Sequence, residues 1–136
     1  LVEGNAPDYM DRTNFDAEEW LSDERNIALR LSDDLGMAEW IEPGVYAIHV
    51  WFASRGRVAL ERAKAMLTEL AEHGATQVIC EPDAFRRDVN LFCRLVGFEH
   101  VRQAQRPWGK VNVRVLSFRE HPMPPKYAIG ETVSAR

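Results

Sequence analysis

The residues with the most chemical potential gather where an apolar stretch runs out into arginine. Val45 to Phe52 reads VYAIHVWF, and Arg55, Gly56 and Arg57 follow closely. Arg-Gly-Arg stands where a buried strand gives way to a helix, and there unpaired backbone N–H groups and the helix dipole favour an anion. Gly56 lets a ligand approach the chain closely, while Arg55 and Arg57 add positive charge. The plainer alternative is a glycine turn between two solvated arginines. His49 interrupts the apolar strand. Histidine titrates near neutral pH, so it can take a proton from an amine through a water; the alternative is an imidazole hydrogen-bonded across the sheet. Glu39, Glu42 and Glu81 are further acid/base candidates at strand ends. Tyr46, Trp40 and Trp51 suit either a core or an acceptor cleft. His73, His100 and His121 have no ligand spacing, and no metal site is expected. Cys80 and Cys93 could pair in principle, but they show neither metal-ligand spacing nor the density of a secreted scaffold. Reduced thiols are expected.

These groups need elements to hold them. Asp16 is an N-cap for a short helix ending about Leu21 or Asp23. Asn26 to Leu31 alternates as a strand, Asp33 to Gly36 is a turn, and Met37 to Glu42 is a second strand. Val45 to Phe52 is apolar on both faces apart from His49, which places it centrally, covered above and below. The longest helix opens at Arg55–Arg57 and reaches about His73, burying Ala59, Ala63, Met66, Leu67 and Leu70. A short strand, Gln77 to Glu81, leads to a helix over 84–96 with a stripe of Phe85, Val89, Phe92, Cys93 and Val96. Phe98 to Gln105 and Lys110 to Phe118 form a hairpin. The central strand–helix–strand unit requires two parallel strands joined by a right-handed crossover.

At 136 residues and 46% apolar composition the chain is one globular domain. Residues 1–15 read as a loose arm, 16–120 as the domain, and 121–136 as an extended tail. No run is long and apolar enough to span a bilayer, and no leader-like stretch opens the sequence, so a soluble protein of the cytoplasm is expected and no membrane partner. Residues 1–42 carry twelve acidic and three basic side chains, net −9, and residues 43–136 carry nine and fourteen, net +5. Two parts that pack together and neutralise each other explain this, as does a local phosphate-binding surface in the second. No basic run interleaved with aromatics exists, so no nucleic-acid partner is expected.

The segments VYAIHVWFASRGRVALERAKAML, QVICEPD and LVGFEHV together resemble the GNAT acetyltransferase superfamily over roughly residues 26–118. The nearest likeness is to short proteins of this kind encoded by bacteriophages. The resemblance implies an α/β fold with a mixed sheet, parallel at its centre and otherwise antiparallel, flanked by helices, with the N-terminal elements reduced. It implies acetyl-coenzyme A in a V-shaped cleft between splayed parallel strands, held by Val50, Trp51, Phe52, Arg55, Gly56, Arg57, Val58 and Ala59, and an amine acceptor. His49 then stands where the family often places a general base, and Cys93 where it often places a tyrosine acting as general acid. Val58 and Leu60 occupy positions that are small in the family's pyrophosphate loop, and Arg86 takes a position usually held by Asn. Two functions follow: an acetyl-coenzyme A-dependent N-acetyltransferase, or a non-catalytic component of a bacteriophage virion whose partners are other virion proteins.

Overall fold

A computed structural model describes residues 16–120 and 132–136. The expected arm, 1–15, lies outside the described residues, as does most of the expected tail, 121–131. Helix α1 (Ala17–Ser22) starts at Asp16, whose Oδ1 accepts from the N–H groups of Glu18 and Glu19. Strands β1 (Ile27–Leu31), β2 (Asp34–Glu42) and β3 (Val45–Trp51) form an antiparallel meander. Helix α2 (Gly56–Glu72) crosses to β4 (Gln77–Cys80), and helix α3 (Arg87–Val96) leads to the hairpin of β5 (Glu99–Arg106) and β6 (Gly109–Ser117). A last short strand, β7 (Ser134–Ala135), closes the order β5-β6-β4-β3-β2-β1-β7. The β3–β4 pair is parallel and every other pair is antiparallel. This is the mixed α/β fold the sequence implies, with the apolar strand at its centre.

One face of the sheet is the core. Leu29, Ala38, Tyr46, Ile48, Val78 and Leu116 are buried there with Ala63, Met66, Leu67 and Leu70 of α2. All five residues of the expected α2 stripe are buried. Gly36 belongs to this face because a Cβ there would meet the Met66 sulfur at 3.3 Å and Val50 at 3.4 Å, so its absence lets the helix settle onto the sheet.

Three local expectations are corrected. Asp33 to Gly36 is not a turn: the reversal is made by Ser32, at φ 56°, with Asp33, and β2 begins at Asp34. The second helix begins at Arg87 rather than 84, because the segment ahead of it is tied to β6: Asp83 bridges Val111 and the Ala84 N–H donates to the Lys110 carbonyl. Phe85 therefore falls outside the helix and is 75% exposed, while Asn90 takes a buried place on α3. Finally, residues 132–136 return to the sheet. Val133 is buried, and Arg136 exchanges both backbone hydrogen bonds with Ala28.

Candidate functional site

The parallel pair holds over only three residue pairs, Val45–Gln77, Tyr46–Val78 and Ala47–Ile79. Beyond them each strand keeps its outer neighbour. β3 stays paired with β2 through His49–Met37, Val50–Gly36 and Trp51–Leu35. The chain after β4 is drawn to β6, where Asn112 donates its N–H to the Pro82 carbonyl and Asp83 bridges Val111. Pro82 has no N–H to offer β3 in any case. The strands splay, and a cleft of about 780 Å³ opens between them. On one side it is lined by Ile48 to Trp51 of β3 and by Phe52 just beyond; on the other stand Ile79, Glu81, Pro82 and Asp83. Phe92 and Cys93 of α3 form a third wall, and the Phe92 ring meets Phe52 at 5.4 Å between centroids.

The start of α2 closes one end of the cleft. Arg55 is its N-cap residue and supplies no side-chain cap; its guanidinium instead donates to the carbonyls of Phe52, at 2.9 Å, and Ser54. The first-turn N–H groups therefore have no capping side chain. Gly56 has φ +59°, a conformation side chains disfavour, and no atom lies within 4 Å of where its Cβ would be. Backbone conformation, not crowding, selects glycine here.

The loop behind those amides is fastened by Asp34, whose sequence context is that of a turn. Asp34 is fully buried. Its carboxylate accepts from the N–H groups of Ala53 (2.7 Å) and Ser54 (2.9 Å), from the Ser54 hydroxyl, and from Arg62 of α2 at 3.1 Å. Burial pushes this carboxyl up, but the hydrogen bonds from Ser54, Arg62 and Ala53 outweigh it and hold the group below its ordinary value.

His49 lines the cleft midway along β3 and is partly buried. Removal from water lowers its pKa to about 4, while the charge of Glu81 pulls the other way. It is neutral at physiological pH. Glu81 is ionised: Arg106 donates two hydrogen bonds to it, at 2.9 and 2.6 Å, and lowers its pKa against the opposing effect of burial. That pairing also fastens the β5–β6 turn, whose Trp108 lines the cleft.

Among the expected site residues, His49, Cys93, Val50, Trp51, Phe52, Arg55, Gly56 and Ala59 all border this one cleft. Arg57 and Val58 do not. Arg57 points along the outside of α2 to Glu61, at 3.2 Å, and the Val58 side chain is half exposed. Val58 is thus no plug in the cleft. Of the secondary candidates, Glu39, Glu81 and Trp51 line it, Tyr46 is buried in the core, and Trp40 lies under the Arg25 guanidinium. Sequence reasoning missed Asp34 and Trp108. A turn-like Asp-Asp and a tryptophan beside Pro107 carry no signal of which wall they join.

No family model matches the sequence, and no curated protein matches it. Solved structures do match. The aminoglycoside acetyltransferase AAC(6')-Ib in complex with coenzyme A and kanamycin superposes with a TM-score of 0.55 at 16% identity, over 71% of each chain. An uncharacterised protein from Bacillus halodurans gives 0.63 at 13% identity, over 85% of this chain and 69% of its own. Mycobacterium smegmatis RimJ in complex with CoA-disulfide gives 0.56 at 14%, over 69% of this chain and 51% of its own. At such identities the likeness speaks for architecture, and the architecture is clear: this chain has the fold of the GNAT acetyltransferases.

Proposed function

We propose that the protein is an acetyl-coenzyme A-dependent N-acetyltransferase. One observation carries this reading: the splayed β3–β4 pair leaves a strand edge open beside a helix start that no side chain caps. Backbone groups of β3 from Ile48 to Trp51 that face the cleft have no β4 partner, and they suit the amides of a pantetheine arm. The N–H groups of Gly56, Arg57 and Val58 suit a pyrophosphate, with Arg55 and the rigid Asp34 anchor behind them. The cleft volume falls in the range of cofactor sites.

Bound acetyl-coenzyme A supplies an activated acyl group. The chain's own part is to hold the acceptor amine in line and to remove its proton, and such alignment alone is worth about 7 kcal/mol or more. His49, kept neutral by burial, receives that proton directly or through a water. Glu81 stabilises the imidazolium that results. Cys93 lines the site, and its sulfur accepts a hydrogen bond from Cys80, which leaves its own S–H able to turn to the cleft as a general acid. Glu39 and Asp83, also on the lining, favour an acceptor carrying positive charge. The second reading, a virion component, has no observation in its favour.

Calorimetric titration with acetyl-coenzyme A tests this directly. Micromolar binding, with thiol release on adding a primary amine, is expected; no heat at millimolar ligand sinks the proposal.

A further inference from the structure

Cys80 and Cys93 come from different elements, β4 and α3, yet their sulfurs touch: the Cys80 thiol donates to the Cys93 sulfur at 3.7 Å. Cys93 borders the open cleft, so a small reagent reaches it from solvent, while Cys80 packs behind it against the core. A disulfide needs the sulfurs to close to about 2.05 Å, a movement within reach of side-chain rotation and a small shift of α3. We propose that Cys80 and Cys93 are a reversible dithiol–disulfide pair that locks α3 onto β4 and so gates the cleft.

The two thiols are unequal in the way such a reaction requires. Cys93 is the more acidic: the hydrogen bond from Cys80 lowers its pKa and the Arg114 guanidinium adds to this, against burial. Cys80 is pushed up by the same hydrogen bond and by burial. With a small-molecule disulfide as oxidant, the Cys93 thiolate attacks one of its sulfurs and expels a thiolate, leaving a mixed disulfide. The Cys80 thiol then gives its proton to that leaving thiolate, and its sulfur attacks the Cys93 sulfur and expels the second half. Two protein thiols are oxidised and one small disulfide is reduced to two thiols. The new bond draws α3, the third wall of the cleft, toward β4 and fixes that wall in place. That consequence for coenzyme rests on the acetyltransferase reading; the bond itself does not.

The full chain is equilibrated in glutathione buffers, from reduced to oxidised, and followed by thiol titration, intact mass and peptide mapping. The expected product has lost both titratable thiols and two hydrogens, carries no glutathione, melts higher, and reverts with dithiothreitol. Cys80→Ser, which removes the resolving thiol, should instead accumulate a glutathione adduct on Cys93. Two thiols that persist in the native chain under oxidised glutathione overturn the proposal. So do stable adducts or intermolecular dimers in place of the internal bond. Acetyl-coenzyme A is then titrated into both forms, with binding at least about tenfold weaker expected for the oxidised one. Equal affinities overturn the gating. Absence of binding to the reduced form instead overturns the acetyltransferase reading, and the thiol count still decides the disulfide.

Discussion

His49 shows how a single side chain ties the site to the stability of the fold. Its pKa is near 4 in the folded protein against 6.5 for an ordinary histidine, with burial as the main cause. Between those values the unfolded chain binds a proton that the folded one refuses, so the folded state is favoured more as pH rises. The full effect is present above pH 6.5 and is lost as pH falls toward 4, by up to about 3 kcal/mol. Glu81 and Asp34 act in a separate, more acidic window: their folded pKa values are depressed, so their contributions persist until the carboxylates themselves protonate. Urea melts across pH 4 to 7 should show the first slope in the parent, and His49→Gln should flatten it. The same variant should lower kcat by about 10²–10⁴ while leaving acetyl-coenzyme A affinity within about twofold. An unchanged kcat would remove His49 from the proton transfer.

At the scale of elements, the junction between β3 and α2 depends on a carboxylate on β2. Asp34→Asn leaves Arg62, 16% exposed at its side chain, facing an uncharged partner, and it weakens the hold on Ala53 and Ser54. A loss of about 3 kcal/mol or more in stability is expected, measured by denaturant unfolding, together with weaker coenzyme binding because the amides after Arg55 lose their backing. Arg55→Ala should weaken binding by about 1.5–3 kcal/mol by calorimetry, with a smaller loss of stability, about 1 kcal/mol, from its exposed bonds to the Phe52 and Ser54 carbonyls. This junction also shows what was legible beforehand. The apolar run of β3, the arginine–glycine break and the five-residue stripe of α2 are local patterns with one dominant explanation each, and a cleft opens where the first two meet. Asp34 was hidden because Asp-Asp-Leu-Gly is turn chemistry by type. Its pairing with Leu31 makes it a strand residue, and the long-range hydrogen bonds from Ala53 and Arg62 make it an anchor. The start of α3 was misplaced for a similar reason, since Ala84 and Phe85 have helix-compatible patterning but the chain at Asp83 and Ala84 is held to β6 by backbone bonds.

Across the whole molecule, the acidic first third and the basic remainder are stitched at points such as Asp34 to Arg62, so the charge asymmetry serves packing at that joint. The sheet then separates two tasks. Its middle, between β3 and β4, opens into the cleft; its far end, at β1, is paired with β7. A two-residue strand has no periodicity, and its pairing with Leu29 and Arg30 could not be read from the sequence. Deleting residues 132–136 takes Val133 out of the core and breaks the two 2.9 Å backbone bonds between Arg136 and Ala28. Burial of one valine is worth about 1.5–3 kcal/mol and each backbone bond about 1 kcal/mol net, so a destabilisation of about 3–5 kcal/mol is expected in urea melts. Acetyl-coenzyme A affinity at low temperature, where the shortened chain stays folded, should be unchanged, because β1 and β2 stand between β7 and the open edge of β3. A shortened chain that is as stable as the parent would show that β7 adds nothing to the sheet. One that is folded but binds poorly would show that the two ends of the sheet are coupled through β1 and β2.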